Sequence, residues 1–116
     1  MASPVYIVGY KRTPFGSFCG SLSPLSATDL IKPVIKSLIE ENQLLHIDQC
    51  IIGHAVQAGC GQSPLSAIFA DTSLSTPPPV FTVNKVCASG MKSIMLAADA
   101  IRAGSADLII AGGMES

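Results

Sequence analysis

The amino-acid sequence predicts an α/β fold, with a mostly parallel central sheet and helices on both of its faces. Short apolar runs alternate along the chain with segments in which apolar residues recur at helical spacing. This alternation is typical of βαβ units, in which a helix crosses over between two parallel strands. No internal repeat and no linker-like stretch divides the 116 residues, so we interpret them as one unit.

The first part of the chain predicts a strand, a loop and a helix. The strand is the apolar run "VYIVGY", Val5–Tyr10, and a loop rich in Gly, Pro and Ser follows it. Ser26 and Asp29 then form the S-x-x-D pattern of a capping box, and an apolar stripe behind them predicts a helix over about Ala27–Glu41. Pro33 lies inside this range and removes a backbone donor, so we expect the helix to begin late or to bend.

The middle of the chain predicts two strands with a short helix between them. "QCIIGH", Gln49–His54, is continuously apolar, as expected for a strand covered on both faces. We predict a short helix near Pro64–Ala70. The following "TPPP" is incompatible with a helix and leads in extended form into the strand "VFTVN", Val80–Asn84.

The last part of the chain predicts a helix and a fourth strand. The helix covers Ala88–Ala103 and is closed by Gly104 as its C-cap. This helix carries small or apolar residues on almost all of its sides, so we expect it to be buried against other helices. The strand is "ADLIIAGG", Ala106–Gly113. The chain stops directly after this strand without a closing helix, and we expect it to be part of a longer protein.

The composition excludes several classes of protein. Hydrophobic residues make up 48% of the chain and charged residues only 13%, which favours a packed core over a disordered tail. The net charge of −1 offers no basic surface for nucleic acid or anionic membranes. The apolar runs are too short to cross a bilayer, and the N-terminus resembles neither a signal peptide nor an Arg-rich presequence. We therefore expect a cytoplasmic protein that binds neither nucleic acid nor membrane.

The cysteines do not predict a metal site or disulfides. The four of them lie far apart without a C-x-x-C pair, so in a reducing compartment they should be free thiols. His46, Cys50, His54 and Cys60 could be imagined as zinc ligands. Their spacing matches no compact zinc module, however, and Cys50 lies within a predicted buried strand. We favour buried thiols, surface histidines and no metal.

Cys87 lies in "NKVCASGMKS", between a predicted strand and a predicted helix. Ligands in open α/β sheets bind at the carboxyl ends of strands, and the free N–H groups in the first turn of a helix favour an anion such as a thiolate. Ala88, Ser89 and Gly90 are small and leave room for a substrate. Position alone leaves two interpretations open: a catalytic nucleophile, or a small apolar residue of a buried helix. Neither histidine is close in sequence to act as its base.

Four segments, "RTPFG", "QAGCGQSP", "FTVNKVCASGMKS" and "AGGMES", occur in the order and spacing seen in thiolases. The whole chain resembles the N-terminal part of thiolases of the biosynthetic, acetyl-CoA acetyltransferase type. The resemblance implies that residues 1–116 are an N-terminal thiolase domain without the loop domain and the C-terminal domain. It also implies a fold in which two similar βαβαβαββ halves stack, of which this chain would supply four strands and three helices.

The resemblance further implies reversible Claisen condensation. Two acetyl-CoA molecules would give acetoacetyl-CoA and CoA through an acyl group on Cys87, whose backbone N–H would donate to the oxyanion. In thiolases a histidine, a second cysteine and an Asn-Glu-His motif complete the site from the C-terminal half, and Cys19, Cys50 and Cys60 match none of them. We therefore expect residues 1–116 alone to be inactive. CoA thioesters would be substrates and no cofactor would be bound permanently. The protein would be a homodimer or homotetramer with its contact near Cys87.

Two other readings of the sequence stay open. A ketoacyl synthase-like condensing enzyme also has a nucleophilic cysteine at a helix start, but "RTPFG" and "GGMES" favour a thiolase. A non-catalytic fragment that serves only as an interaction module belongs to a different class. The intact "NKVCASG" argues against a degenerate parent protein. Two positions depart from the thiolase pattern: Leu65–Ala67 replaces a polar triplet, and His54 replaces a commonly seen asparagine.

Overall fold

A three-stranded parallel sheet lies at the centre of the chain in the computed structural model, which describes residues 3–116. The middle strand is β1 (Gln49–Gly53), and it is flanked by β2 (Val80–Val83) and β3 (Ile109–Gly113). β1 takes the middle position because its residues are almost all buried, as a strand that is covered on both faces requires. The predicted α/β class with a parallel sheet is confirmed.

The first helix, α1, has the predicted bounds Ala27–Glu41. Its capping box is present: the Ser26 hydroxyl accepts from the Asp29 N–H at 3.1 Å, and the Asp29 carboxylate accepts from the Ser26 N–H at 3.0 Å. The Ser26 N–H, and after it the Ser26 hydroxyl, donate to the Asp29 carboxylate and hold its pKa below the usual value. The helix begins at Ala27 and includes Pro33, so the late start that Pro33 was predicted to cause does not occur.

The main hydrophobic core lies between α1 and one face of the sheet. α1 contributes one isoleucine on every turn, and the sheet contributes the alternate residues that point to this side. The segment between β1 and β2 closes the core with three further apolar side chains. The core includes Ile31, Ile35 and Ile39 of α1, Cys50, Ile52 and Ile110 of the sheet, and Leu65, Ile68 and Phe69. Burial raises the pKa of Cys50 to about 12, so this thiol is protonated and structural.

The second helix, α2 (Ser89–Arg102), packs on the opposite face of the sheet. Its buried residues are small, namely Ser89, Ser93 and Ala97, so its backbone comes close to the strands. The large apolar residues of α2, such as Met91, face outward and are exposed. The prediction that α2 is buried against other helices is therefore wrong for this chain: its small side covers the sheet and its large apolar side is uncovered.

Glycines make the contact between α2 and the sheet possible. A Cβ atom built on Gly53 would lie 2.3 Å from the carbonyl carbon of Ser89, which is far inside van der Waals contact. A Cβ atom on Gly113 would lie 3.2 Å from the Cα of Gly90. The carboxyl ends of β1 and β3 therefore touch the first turn of α2 directly, backbone against backbone.

Two predicted elements are absent from the structure. Val5–Tyr10 is not a strand; it runs unpaired, and Ile7 is 82% exposed. A strand needs a neighbour that accepts and donates its backbone hydrogen bonds, and the three-stranded sheet offers this segment none. Pro64–Ala70 is not a helix but a succession of turns, in which bonds such as Ile68 N–H to Leu65 carbonyl span three residues.

The remaining bounds differ from the predicted ones by one to three residues. β1 ends at Gly53, one residue early, and β2 ends at Val83, which leaves Asn84 in a loop. β3 begins at Ile109 rather than at Ala106. α2 is shorter than predicted by one residue at each end, and its C-cap is Ala103 rather than Gly104. Gly104 follows the cap with φ +80°, the left-handed conformation in which a glycine ends a helix.

Candidate functional site

Cys87 lies in the turn of residues 84–88, which connects the carboxyl end of β2 to α2. Its side chain is exposed. The N-cap of α2 is Ala88, so Cys87 precedes the cap by one residue rather than lying in the first turn of the helix as predicted. The predicted place at the carboxyl edge of a parallel sheet is otherwise observed, and the interpretation of Cys87 as a buried apolar residue does not fit this chain.

The turn is built around a strained residue. Val86 has φ +52°, in the left-handed region that β-branched residues rarely enter. Its N–H donates to the Asn84 side-chain oxygen at 2.9 Å, and its carbonyl accepts from the Ser89 hydroxyl at 2.6 Å. The same hydroxyl accepts from the Lys85 N–H at 2.8 Å. Side chains from both sides of Cys87 thus fix the backbone that presents the thiol.

Several N–H groups in this turn and in the first turn of α2 have no acceptor among residues 3–116. Ala88 provides no side-chain cap to α2. Within residues 3–116, no acceptor is found for the backbone N–H groups of Cys87, Gly90 and Met91. An exposed thiol can accept an acyl group, and unpaired N–H donors beside it can stabilise the negative charge that develops on the carbonyl oxygen of that group. The arrangement is therefore suited to nucleophilic acyl transfer.

A hydrogen-bonded network joins the carboxyl ends of the three strands next to this turn. The Glu115 carboxylate accepts from the N–H groups of Ala55 and Val56 at 2.9 and 3.1 Å. The Asn84 side-chain amide donates to the Ala55 carbonyl at 3.3 Å. The sequence alone indicated neither a role for Glu115 nor the direction of the Asn84 side chain. The signal that could have found them is a polar side chain directly after a strand, in "VN" and in "GGMES".

His54 was predicted to lie at the surface, but it is buried. It is only 1% exposed, and its Nε2 lies 3.4 Å from a Glu115 carboxylate oxygen. Its Nδ1 has no hydrogen-bond partner within the described residues. His46 is exposed, and its Nε2 lies 2.7 Å from the Asp48 carboxylate. No hydrogen bond within residues 3–116 joins either histidine to Cys87, so the general base that the sequence analysis lacked is not found here either.

The four imagined zinc ligands do not come together. In the described part of the chain, no group of three or more His, Cys, Asp or Glu side chains is arranged to hold a metal ion. Cys50 is fully buried in the core, whereas Cys60 is half-buried in a glycine-rich turn. The prediction of buried thiols is thus correct for Cys50 alone, and Cys19 is exposed.

Neither of the two best-defined cavities among residues 3–116 is lined by Cys87. One, of about 200 Å³, lies between α1 and the sheet and is lined by apolar residues such as Val34 and Ile52 and by charged residues such as Arg12 and Glu115. The other, of about 250 Å³, lies between the turn at Pro64 and the strand residue Phe81. Residues 3–116 therefore present the thiol on an open surface and do not enclose it. Over the same residues, no helix is long and apolar enough to cross a membrane.

Comparisons with known proteins agree on one family. Residues 5–116 match the model of the family "Thiolase, N-terminal domain". An acetyl-CoA acetyltransferase of Escherichia coli (strain K12) is 49% identical over 112 residues, which are 95% of this chain and 28% of the relative. A protein of Danio rerio named "Acetyl-CoA acetyltransferase, mitochondrial" is 46% identical over 97% of this chain and 27% of its own length.

A solved structure is similar as well. A thiolase from Ascaris suum, crystallised in complex with coenzyme A, superposes with a TM-score of 0.82 and 37% sequence identity. The match covers 90% of this chain and 28% of that chain. The chain thus spans a little more than a quarter of the length of the proteins that it resembles.

Proposed function

Because the chain belongs to the thiolase family, we propose that it carries the acyl-accepting nucleophile, Cys87, of an acetyl-CoA acetyltransferase. Residues 1–116 would be the N-terminal thiolase domain, and the loop domain and C-terminal domain of such an enzyme lie outside them. The observation that supports this most strongly is the exposed Cys87 thiol, held at a strand-to-helix turn beside N–H groups without acceptors. Membership of the thiolase family favours this reaction over that of a ketoacyl synthase-like enzyme.

The proposed reaction has two steps at Cys87. The thiolate attacks the carbonyl carbon of acetyl-CoA, and the oxyanion that forms accepts a hydrogen bond from the Cys87 N–H. The CoA thiolate leaves and takes up a proton, which gives acetyl-Cys87. The carbanion of a second acetyl-CoA then attacks this thioester, so that acetoacetyl-CoA forms and the Cys87 thiolate is released. The reverse sequence is thiolysis of acetoacetyl-CoA by CoA.

The proposal assigns two further tasks to residues outside this chain. Activation of the thiol and removal of a proton from the second acetyl-CoA both need a base, and within residues 3–116 no histidine is hydrogen-bonded to Cys87. Effective catalysis needs these groups next to the nucleophile. Residues 1–116 alone should therefore form no acetoacetyl-CoA. CoA thioesters would be substrates, and no permanently bound cofactor is part of the proposal.

The first test measures the reactivity of Cys87 in the chain itself. Limiting iodoacetamide at neutral pH followed by peptide mapping should label Cys87 first, because its thiol is exposed and lies beside backbone N–H groups without acceptors. Cys19 is the matched control, since it is also exposed and belongs to the same chain. Cys50 should stay unlabelled because it is buried. Faster labelling of Cys19 or Cys60 would contradict the assignment of the nucleophile.

The second test measures the reaction. Residues 5–116 replace the matching segment of the Escherichia coli acetyl-CoA acetyltransferase, which supplies the rest of the enzyme. We expect this chimera to thiolyse acetoacetyl-CoA, the same chimera with Cys87→Ala to be inactive, and the 116-residue chain alone to show no turnover above its own Cys87→Ala blank. A folded chimera without activity would favour the reading of the chain as a non-catalytic interaction module.

Self-association is part of the proposal. Large apolar residues next to the Cys87 turn are uncovered, among them Val86, Met91 and Met95. Apolar surface of this kind marks protein contacts, and a homodimer or homotetramer with its contact near Cys87 would cover it. Sedimentation of the chimera gives its oligomeric state. The cytoplasmic location stays a prediction, because the relatives include a protein named mitochondrial.

A further inference from the structure

We propose that Asn84 and Ser89 are positioning residues, which hold Val86 in its left-handed conformation and thereby aim the N–H and the thiol of Cys87. The proposal rests on the assignment of Cys87 as nucleophile. Neither side chain is hydrogen-bonded to the thiol, and both act on the backbone of the turn.

The strain at Val86 is the starting point. A β-branched residue with φ +52° persists only where its surroundings hold it, and such strain tends to occur at functional sites. Here both backbone groups of Val86 are held. The Asn84 oxygen accepts its N–H at 2.9 Å, and the Ser89 hydroxyl and N–H donate to its carbonyl at 2.6 and 3.3 Å.

The second step follows from the planarity of the peptide bond. The Val86 carbonyl and the Cys87 N–H belong to one trans peptide unit, so they point in opposite directions. Because Ser89 draws the carbonyl toward the start of α2, the Cys87 N–H points away from the helix, where no acceptor within residues 3–116 meets it. A bound acyl oxygen would find the donor on that side.

The third step is the anchoring of the two side chains. Asn84 also donates to the Ala55 carbonyl at 3.3 Å, and Glu115 holds the N–H of Ala55 from β3. Ser89 is 5% exposed, its backbone lies against Gly53, and its hydroxyl is bonded to both the Lys85 N–H and the Val86 carbonyl. The turn is thereby tied to the ends of β1 and β3 as well as to β2, from which it extends.

The experiment compares the alkylation rate of Cys87 with that of Cys19 over a range of pH in variants of this chain. Asn84→Ala removes both hydrogen bonds of the amide, and Ser89→Ala removes those of the hydroxyl. Each should lower the Cys87 rate relative to Cys19 by about tenfold, the effect of one or two lost hydrogen bonds on the aim of a donor. Asn84→Asp keeps the acceptor for Val86 but loses the donor to the Ala55 carbonyl, so its rate should lie between those of the original chain and of Asn84→Ala.

A second background makes the test specific for the strain. Glycine enters the left-handed region without cost, so in Val86→Gly the turn needs less holding. The loss caused by Asn84→Ala should therefore be several-fold smaller in the Val86→Gly background than in the original chain. Asn42→Ala and Ser105→Ala are matched controls, because each removes a side-chain bond to a carbonyl in the last turn of a helix, at the end of α1 and at the opposite end of α2 from the Cys87 turn.

The outcomes separate this proposal from the one on which it rests. If Cys87 of the original chain reacts no faster than Cys19, both proposals are overturned. If Cys87 is fast and stays fast in Asn84→Ala and Ser89→Ala, only the positioning role is overturned. Equal losses in the Asn42 and Ser105 controls, or an undiminished Asn84→Ala effect in Val86→Gly, would also overturn it. Circular dichroism of each variant shows whether it is folded. If an alanine variant does not fold, the Cys87 alkylation rates of Asn84→Asp and Val86→Gly test the positioning role instead.

Discussion

Replacement of Gly53 by alanine should displace the helix that follows Cys87. The added Cβ would lie 2.3 Å from the Ser89 carbonyl carbon, 2.5 Å from its oxygen and 2.6 Å from the Gly90 nitrogen. Non-bonded heavy atoms need about 3.5 Å or more, so the start of α2 would have to move by about 1 Å. All three atoms are backbone, and no flexible side chain can make way. Overpacking of this kind costs roughly 1–3 kcal/mol.

Gly112 provides the matched control. It lies on the neighbouring strand, and a Cβ built on it meets no atom within 4 Å. Urea unfolding followed by circular dichroism should give a free energy of unfolding that is lower by about 2 kcal/mol in Gly53→Ala, but changed by less than about 0.5 kcal/mol in Gly112→Ala. Cys87 of Gly53→Ala should also lose its advantage over Cys19 in alkylation. Equal stability and equal reactivity of the two variants would refute the direct contact between β1 and α2.

Two further predictions concern side chains that join the helices and strands. The pKa of Asp48 is lowered from 3.8 to about 2 by the N–H groups of Asp107 and Leu108, in that order, and then by His46. The ionised Asp48 carboxylate therefore stabilises the folded state fully above about pH 5, and this contribution is lost as the pH falls toward 2. Urea unfolding at several pH values should show this loss, and Asp48→Asn should remove that part of the pH dependence; an unchanged profile would contradict it. Ser93→Ala should lower the free energy of unfolding by roughly 1–3 kcal/mol, because it removes a buried hydroxyl that lies 2.7 Å from the Gly112 carbonyl of β3 and 2.6 Å from the Gly90 carbonyl of α2. A change below about 0.5 kcal/mol, as is usual for surface substitutions, would show that this hydroxyl does not hold α2 to β3.

The features that sequence reasoning predicted correctly are those fixed by neighbouring residues. The bounds of α1 follow from a capping box of residues three apart, which forms as soon as the helix forms. The place of Cys87 between a strand and a helix follows in the same way from the residues on either side of it. The parallel order of the strands follows from the helix-period segments between them.

The features that it missed depend on partners far away in the sequence. Val5–Tyr10 has the composition of a strand, but a strand exists only where another strand pairs with it, and composition does not show whether one does. The Asn84 amide meets a carbonyl 29 residues away, and Glu115 meets N–H groups 59 and 60 residues away. The burial of His54 depends on this same packing. None of these distances can be read from a local pattern.

The two carboxylates at the ends of the sheet fix the alignment of β1 against β3. Asp48, just before β1, accepts from the N–H groups of Asp107 and Leu108, and Glu115, just after β3, accepts from those of Ala55 and Val56. At each end of the strand pair, a carboxylate next to one strand thus accepts hydrogen bonds from backbone N–H groups next to the other. A slip by one residue would break both sets of hydrogen bonds and would turn every side chain of the slipped strand to the opposite face. The pairing of these strands therefore has one register, although neither glycine at their carboxyl ends has a side chain to define it.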